Sequence, residues 1–170
     1  MVILGTGDEK YHRLFTAIRA KYPKKISVNL LFDNSLAHLI EAGSDMFLMP
    51  SRYEPCGLNQ LYSLKYGTVP IVRKTGGLAD TIENYDPRTG NGTGFVFKGY
   101  DASELLETVE LALSVYKDKG AWSTLMKNGM EKDFSWESSA SKYVELYQKA
   151  QEKTRAGSDR GKEIPDQKQA

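Results

Sequence analysis

Residues 46–73 read MFLMPSRYEPCGLNQLYSLKYGTVPIVR, and this stretch decides the fold. It opens with the unbroken apolar run Met46–Met49, continues through a loop that contains proline and glycine, and reaches an amphipathic segment that begins at Leu58. A second apolar run follows at Val69–Val72. Apolar runs without polar alternation are typical of strands that are covered on both faces, as in a parallel sheet. The stretch therefore predicts a strand, a helix and a second parallel strand, joined by a right-handed crossover.

The same alternation continues on both sides of this unit. Further apolar runs predict strands at Val2–Leu4, Ile26–Phe32 and Phe95–Phe97. Apolar residues at helical spacing predict additional helices, with the following members: Tyr11, Leu14, Phe15, Ile18 and Tyr22; Leu36, Leu39 and Ile40; Leu78–Ile82; Leu105, Val109, Ala112 and Tyr116; and Tyr143, Val144, Tyr147 and Ala150. Asp101 and Glu104 resemble a capping box at the start of the fourth of these helices. The predicted fold class is α/β, with five strands in a Rossmann-like, doubly wound parallel sheet.

The composition argues against several classes of protein, namely nucleic-acid-binding, membrane-spanning, disulfide-rich and Cys- or His-rich metal proteins. The 170 residues include 23 basic and 22 acidic side chains, a formal net charge of +1, and 40% of them are hydrophobic. We expect no nucleic-acid partner, since that requires a basic excess, and no membrane partner, since no apolar run reaches the ~18 residues of a membrane span. One cysteine and two histidines argue against a disulfide framework and a Cys- or His-rich metal site. Residues 1–152 are expected to form one partial domain, and residues 153–170 a polar, disordered tail.

Parallel α/β sheets bind ligands beyond the carboxyl ends of their strands, which draws attention to four loops. The first contains Gly5 and Gly7, whose backbone a ligand can approach closely; the alternative is a tight turn capped by Asp8. The dinucleotide fingerprint G-x-G-x-x-G is broken at Lys10, which disfavours a dehydrogenase. In the second loop, Phe32 offers a ring that stacks on a nucleobase, or else it packs in the core.

The third loop, which follows Met46–Met49, has the densest set of candidates. Glu54 lies in it, and the next helix opens at Gly57, where free N–H groups favour a phosphate. A carboxylate repels phosphate but suits sugar hydroxyls or a developing positive charge, so this loop predicts a sugar–phosphate site. The alternative is that Glu54 caps the helix. The fourth loop, residues 73–80, adds two cations and a Gly-Gly helix start, which suit an anion or a sugar; the alternative is solvated charge with an ordinary glycine turn.

Several of these stretches resemble bacterial glycogen synthases and plant starch synthases. They are Leu4-Gly5-Thr6-Gly7-Asp8; Pro50-Ser51-Arg52-Tyr53-Glu54-Pro55-Cys56-Gly57-Leu58; Gln60-Leu61-Tyr62; Leu64-Lys65-Tyr66-Gly67-Thr68 with Pro70; Thr75-Gly76-Gly77-Leu78-Ala79-Asp80-Thr81; and Asp133-Phe134-Ser135-Trp136. The resemblance implies a retaining GT-B glycosyltransferase that moves glucose from ADP-glucose to the non-reducing end of an α-1,4-glucan. The chain resembles the C-terminal, donor-binding half of such an enzyme without the first strand of that half.

The resemblance also assigns residues. It implies that Glu54 is the catalytic glutamate beside the donor glucose. The implied donor-binding residues are Gly5, Gly7, Phe32, Cys56, Gly57, Leu58, Asn59, Gly76 and Gly77. The family commonly has Thr at the position of Asn59 and Tyr at that of Phe32. The wider class of retaining GT-B enzymes has a second acid at the position of Tyr62, which the synthases also lack.

These observations favour direct transfer of glucose, with no metal and no cofactor other than the donor substrate ADP-glucose. A retaining hydrolase needs a second carboxylate about 5–5.5 Å from the first, and the block 51–62 contains only Glu54. Without the N-terminal Rossmann half, which binds the glucan, we expect the chain to bind the donor and to be inactive. The expected location is the cytoplasm of a bacterium or a plastid. The alternatives are a non-catalytic module that binds nucleotide sugar or glucan, and a retaining GT-B transferase for UDP- or GDP-sugars.

Overall fold

The computed structural model describes residues 1–160, with side chains as far as residue 155. Contacts divide the chain into two compact units, the first Met1–Lys132 and the second from Asp133 onward. The described strands are β1 (Val2–Leu4), β2 (Ser27–Asn29), β3 (Met46–Met49), β4 (Val69–Arg73) and β5 (Phe95–Phe97). The described helices are α1 (Glu9–Lys21), α2 (Asn34–Ala42), α3 (Asn59–Tyr66), α4 (Gly76–Thr81), α5 (Ala102–Tyr116), α6 (Lys119–Met130) and α7 (Trp136–Arg160).

The structure confirms all five predicted strands, although β2 is shorter than the apolar run that predicts it and ends at Asn29. Every strand pair is parallel, as expected. The five strands do not form one continuous sheet, which the sequence does not indicate by itself. Within the described residues, β1 pairs with β2 in one sheet, and β3, β4 and β5 form a second sheet in that order. We call these two sheets the pair and the triplet.

The division into a pair and a triplet follows from the strand order of a doubly wound sheet. In the order 3-2-1-4-5-6, the first strand lies between strand 2 and strand 4. If β1 corresponds to strand 2, then a sheet that lacks its first strand leaves two strands on one side and three on the other. The observed arrangement therefore agrees with the predicted doubly wound fold that lacks its first strand.

The hydrophobic core is built on β4, the central strand of the triplet. One face of the triplet packs against α5 and α6 through the buried residues Val69, Ile71, Tyr85, Phe95, Ala112, Trp122 and Leu125. The opposite face packs against α3 and α4 through Leu64, Val72, Leu78 and Ile82. Ile71 and Val72 contribute to different clusters because successive side chains of a strand point to opposite faces. This burial on both faces fixes the carboxyl ends of β3 and β4, where the third and fourth loops begin.

Helix α6 has no counterpart among the predicted helices, although it supplies part of this core. Its buried side chains are Trp122 and Leu125. Together with Met126 and Gly129 they follow the i, i+3, i+4, i+7 spacing of an amphipathic helix. Glycine and polar residues between them weaken the pattern. Gly129 is nevertheless a packing residue, since a Cβ there would lie 2.8 Å from Cδ2 of Leu64.

Asp101 caps α5 as predicted, because its carboxylate accepts hydrogen bonds from the backbone N–H groups of Ser103 and Glu104. The predicted capping box is only half formed. The Glu104 carboxylate does not return to Asp101 but accepts from the N–H groups of Lys98 and Gly99, at 3.1 and 2.7 Å. Glu104 therefore ties the loop after β5 to the start of α5.

In the second unit, α7 extends to Arg160. Residues 153–160, expected as the start of a polar tail, are therefore helical, and residues 161–170 of that tail lie outside the described residues. The division of contacts falls at Lys132 rather than at the expected residue 152. None of the helices that the structure describes is long and apolar enough to cross a membrane.

Candidate functional site

Two loops at the carboxyl end of the triplet carry most of the candidate residues. The glutamate loop, residues 50–58, follows β3 and leads directly into α3. The glycine loop, residues 74–77, follows β4 and includes the start of α4. Because β3 and β4 are neighbouring parallel strands, the two loops leave the same edge of the sheet. This is the edge at which α/β proteins of this architecture bind ligands.

The two loops are in direct contact through their backbones. The Gly77 N–H donates to the Glu54 carbonyl oxygen at 3.0 Å. A Cβ at Gly76 would clash with the Glu54 carbonyl, and a Cβ at Gly77 would clash with the Cys56 carbonyl. The two glycines are therefore required by the close packing of the loops. The Gly77 N–H, expected to face an anion or a sugar, is already used by the neighbouring loop.

The Glu54 carboxylate lies at this edge, half-buried, with Ser51 as its described partner. The Ser51 hydroxyl donates to Glu54 Oε2 at 3.2 Å. The alternative that Glu54 caps the next helix is wrong, since the N-cap of α3 is Leu58. Within the part of the chain that the structure describes, no side chain caps α3, so the N–H groups of its first turn are available to an anion. The carboxylate thus lies in the loop that leads directly into an uncapped helix start.

The middle of the glutamate loop is shaped by a side chain that the sequence analysis did not single out, Gln60. Its amide is fully buried, and Nε2 donates to the carbonyl oxygens of Cys56 and Gly57, both at 3.0 Å. Gly57 has a φ of +74°, in the left-handed region, and a Cβ there would clash with the Gln60 amide. Gln60 therefore occupies the space that a side chain at residue 57 would need. Cys56 itself is exposed.

Arg73 has a different role from the one predicted for it. The expectation was that it faces an anion. Instead, its Nε donates to the Ser51 carbonyl at 2.9 Å and its guanidinium also reaches the carbonyls of Arg52 and Lys98. The guanidinium lies 5.6 Å from the centre of the Tyr100 ring. Arg73 thus joins the loops that follow β3 and β5, and the exposed Lys74 is the cation of this segment that faces solvent.

Asn59, the first residue of α3, is held by a buried acid on α2. Its Nδ2 donates to Oε1 of Glu41 at 3.0 Å. Glu41 is buried, and its backbone carbonyl accepts from the Thr68 hydroxyl. Burial raises the pKa of the Glu41 carboxyl, an effect that the charge of His38 and the hydrogen bond from Asn59 only partly oppose. The sequence offered one signal for the contact between Glu41 and Asn59, which is that Glu41 follows the apolar residues of α2. A glutamate in such a position is easily interpreted as a surface charge.

The remaining candidates belong to the pair of strands rather than to the triplet. Gly5 follows β1 and donates its N–H to the Asn29 carbonyl of β2 at 3.1 Å. A Cβ at Gly5 or Gly7 would meet open space. Asp8 is the N-cap of α1, but its side chain makes no capping hydrogen bond. Phe32 is 88% exposed, so the alternative that it packs in the core is wrong.

The structure therefore gathers the candidates into two groups. The first group comprises Glu54, Cys56, Gly57, Leu58, Asn59, Gly76 and Gly77, at the end of the triplet. The second comprises Gly5, Gly7 and Phe32, in the loops that follow β1 and β2. Tyr62, where the wider class has its second acid, lies on α3 with its ring 4.9 Å from that of His38. Among the described residues, no group of three His, Cys, Asp or Glu side chains is placed to hold a metal ion.

Comparison with known proteins gives a consistent result. The family described as Glycosyl transferases group 1 matches residues 1–127. A glycogen synthase from Koribacter versatilis is 60% identical over 151 residues, which are 89% of this chain and 31% of that protein. A glycogen synthase from Fervidobacterium nodosum is 57% identical over 152 residues, with the same two coverages.

A solved structure shares the fold. The catalytic domain of starch synthase IV from Arabidopsis thaliana, bound to ADP and acarbose, superposes with a TM-score of 0.76 and 37% sequence identity. The match covers 87% of this chain and 31% of that structure. The chain therefore spans about a third of the length of the relatives that it matches.

Proposed function

Because the chain belongs to the group 1 glycosyl transferases, we propose that it is the donor-binding part of a glycogen or starch synthase. Such an enzyme transfers glucose from ADP-glucose to the non-reducing end of an α-1,4-glucan, with retention of configuration. The names of the curated relatives support the reaction, and the ADP bound to the starch synthase IV structure supports the nucleotide. The location that goes with this proposal is the bacterial cytoplasm or a plastid.

One observation carries the proposal: a half-buried carboxylate, Glu54, lies in the loop that leads directly into the uncapped start of α3. The helix start supplies N–H groups and the positive end of a dipole, which stabilise the diphosphate and the negative charge that grows on it as it leaves. Glu54 holds a glucose hydroxyl and offsets the positive charge that develops on the ring. The exposed ring of Phe32 is suited to stacking on the adenine.

The chemistry proceeds by exchange of one bond for another at C1 of glucose. The bond from C1 to the oxygen of the β-phosphate breaks, the bond from C1 to the 4-hydroxyl oxygen of the acceptor forms, and the hydroxyl proton passes to the departing ADP. The acceptor comes from the N-terminal half of the longer enzyme. We therefore expect this chain to bind donor and to catalyse no transfer by itself.

Calorimetric titration of the chain with ADP-glucose, ADP and UDP-glucose tests the proposal. We expect ADP-glucose to bind more tightly than UDP-glucose. Glu54→Gln keeps the shape and removes the charge, so it should lower the affinity for ADP-glucose by about tenfold, since hydrogen bonds to charged groups are the strong ones, and leave that for ADP unchanged. A chain that is folded by circular dichroism and binds none of the three ligands would contradict the proposal. Release of ADP with a glucan present would contradict the expected need for the other half.

A further inference from the structure

We infer that Gln60 and Thr81 are positioning residues, which join the glutamate loop to the glycine loop and so set the place of Glu54 beside the donor sugar. This inference rests on the function proposed above. Neither residue needs to touch the donor. Their effect passes through the backbone of the two loops that form the candidate site.

A closed set of hydrogen bonds connects the two loops. Gln60 Nε2 donates to the carbonyl oxygens of Cys56 and Gly57 and lies 3.4 Å from the Thr81 hydroxyl oxygen. The Thr81 hydroxyl donates to the Gly77 carbonyl at 2.6 Å. The Gly77 N–H donates to the Glu54 carbonyl at 3.0 Å, which returns the path to the glutamate loop. The path thus runs from one loop to the other through two side chains and back through one backbone contact.

Burial of Gln60 favours a fixed geometry for the hydrogen bonds that connect the two loops. Gln60 has no exposed surface, so water does not readily replace the hydrogen bonds of its amide. The carbonyls of Cys56 and Gly57 both accept from the same Nε2 group, and the Gly57 carbonyl also accepts from the Cys56 thiol at 3.5 Å. The left-handed backbone of Gly57 and the absence of a Cβ there give the amide its place. The loop conformation and the position of Gln60 therefore determine each other.

The ring of contacts predicts an effect on the sugar rather than on the nucleotide. It fixes the backbone of Glu54 through Gly77, and Glu54 is the residue assigned to the glucose. The diphosphate, by contrast, is assigned to the N–H groups of α3, which the helix itself holds in place. Loosening the ring should reduce the gain in affinity that glucose adds to ADP, while ADP binding is retained.

Thr81 offers the most direct test of this inference, because one substitution removes its hydroxyl and another keeps it. Thr81→Val removes the hydroxyl at constant shape, and Thr81→Ser keeps the hydroxyl. Thr108 is a suitable control, since it lies on α5, is also half-buried, and also donates its hydroxyl to the carbonyl four residues earlier, at 2.7 Å. Gln60→Met is a second variant at the other side chain: it keeps the length of the side chain and removes the donors to the two carbonyls without adding a charge near the diphosphate.

Titration of these variants with ADP-glucose and with ADP measures the ratio of the two affinities. We expect Thr81→Val to lower that ratio about fivefold, the effect of one hydrogen bond, and Gln60→Met to lower it at least as much. Thr81→Ser and Thr108→Val should leave it within about twofold of the wild type. Equal loss of affinity for both ligands, or no loss in Thr81→Val, overturns the inference while the wild type still binds ADP-glucose. Failure of the wild type to bind ADP-glucose overturns the proposed function, and this inference with it.

Discussion

The pair and the triplet both contain apolar strand residues, but most of those in the pair are less buried than those in the triplet. Val72, in the central strand of the triplet, has no exposed surface, whereas Val2 in the pair is 46% exposed. Helix α1, which connects the two strands of the pair, has no fully buried residue. The difference arises because helices pack on both faces of the triplet; even its edge strand β5 is buried, and Phe95 has no exposed surface. Apolar sequence alone therefore does not determine burial; the number of neighbouring elements does.

The same comparison separates the two parts of the candidate site. Glu54, the start of α3 and the glycine loop are held by the triplet and its two hydrophobic clusters. Phe32, Gly5 and Gly7 depend on the pair. We therefore expect the sugar and diphosphate subsites to be the more rigid ones, and the adenine subsite to be the more easily disturbed.

Two leucines test this comparison with the largest expected effect. Leu125, on α6 of the triplet, has no exposed surface, whereas Leu14, on α1 of the pair, is 50% exposed. Leu125→Ala leaves a cavity and should lower the free energy of unfolding by about 2–5 kcal/mol. Leu14→Ala should lower it by about 0.5 kcal/mol or less, because half of that side chain is already hydrated. Urea denaturation followed by circular dichroism measures both values. Similar losses for the two variants would mean that the pair is as tightly packed as the triplet.

A smaller, pH-dependent effect is expected from Glu41, on the helix that leads from the pair to the triplet. Burial raises the pKa of this carboxyl above its ordinary value of 4.5, so the folded chain holds the proton more strongly than the unfolded chain does. The free energy of unfolding contributed by this group is thus greatest below pH 4.5 and declines as the pH rises from there through the raised pKa.

Glu41→Gln removes this decline, because the amide cannot ionise and still offers an oxygen to Asn59. Urea denaturation at several values between about pH 4 and pH 7 should show the variant gaining stability relative to the wild type as the pH rises. Glu110→Gln, at an exposed position of α5, is the matched control. A difference between Glu41→Gln and wild type that stays constant over this range would show that folding does not shift the pKa of this carboxyl.

Much of the fold was predictable from the sequence, since most of the strands are short unbroken apolar runs and the helices that were found carry clear stripes. Helix α6 was not predicted because its apolar stripe has glycine, Gly129, at a position where a large apolar residue is expected. Gly129 is explained by its close approach to Leu64, which is a tertiary contact that the local sequence does not show. The division of the strands into a pair and a triplet was not predicted for a similar reason. Strand pairing depends on which neighbours are present, and local sequence does not report that.

The site residues divide in the same way. Glu54 and the glycines could be placed at one edge of the sheet because loops at the carboxyl ends of neighbouring parallel strands leave the same edge. Gln60, Arg73 and Glu41 act through buried contacts with backbone carbonyls or with another side chain. Such contacts join segments that are distant in the sequence, so residue type and spacing do not reveal them. Arg73 is the clearest example: its charge suggested that it binds an anion, whereas its N–H groups donate to backbone carbonyls.

The smallest expected effect on stability comes from substitution of Phe32. The same substitution tests whether the pair of strands takes part in donor binding. The ring of Phe32 is 88% exposed, so Phe32→Ala should change the free energy of unfolding by no more than about 0.5 kcal/mol. Stacking of a base on an aromatic ring contributes about 1–3 kcal/mol, so the same variant should weaken ADP binding by roughly five- to a hundredfold. Phe32→Tyr keeps the ring and should bind as the wild type does. Calorimetry with ADP measures all three proteins. Unchanged binding in Phe32→Ala would place the adenine elsewhere, and would leave the pair without a part in donor recognition through this ring.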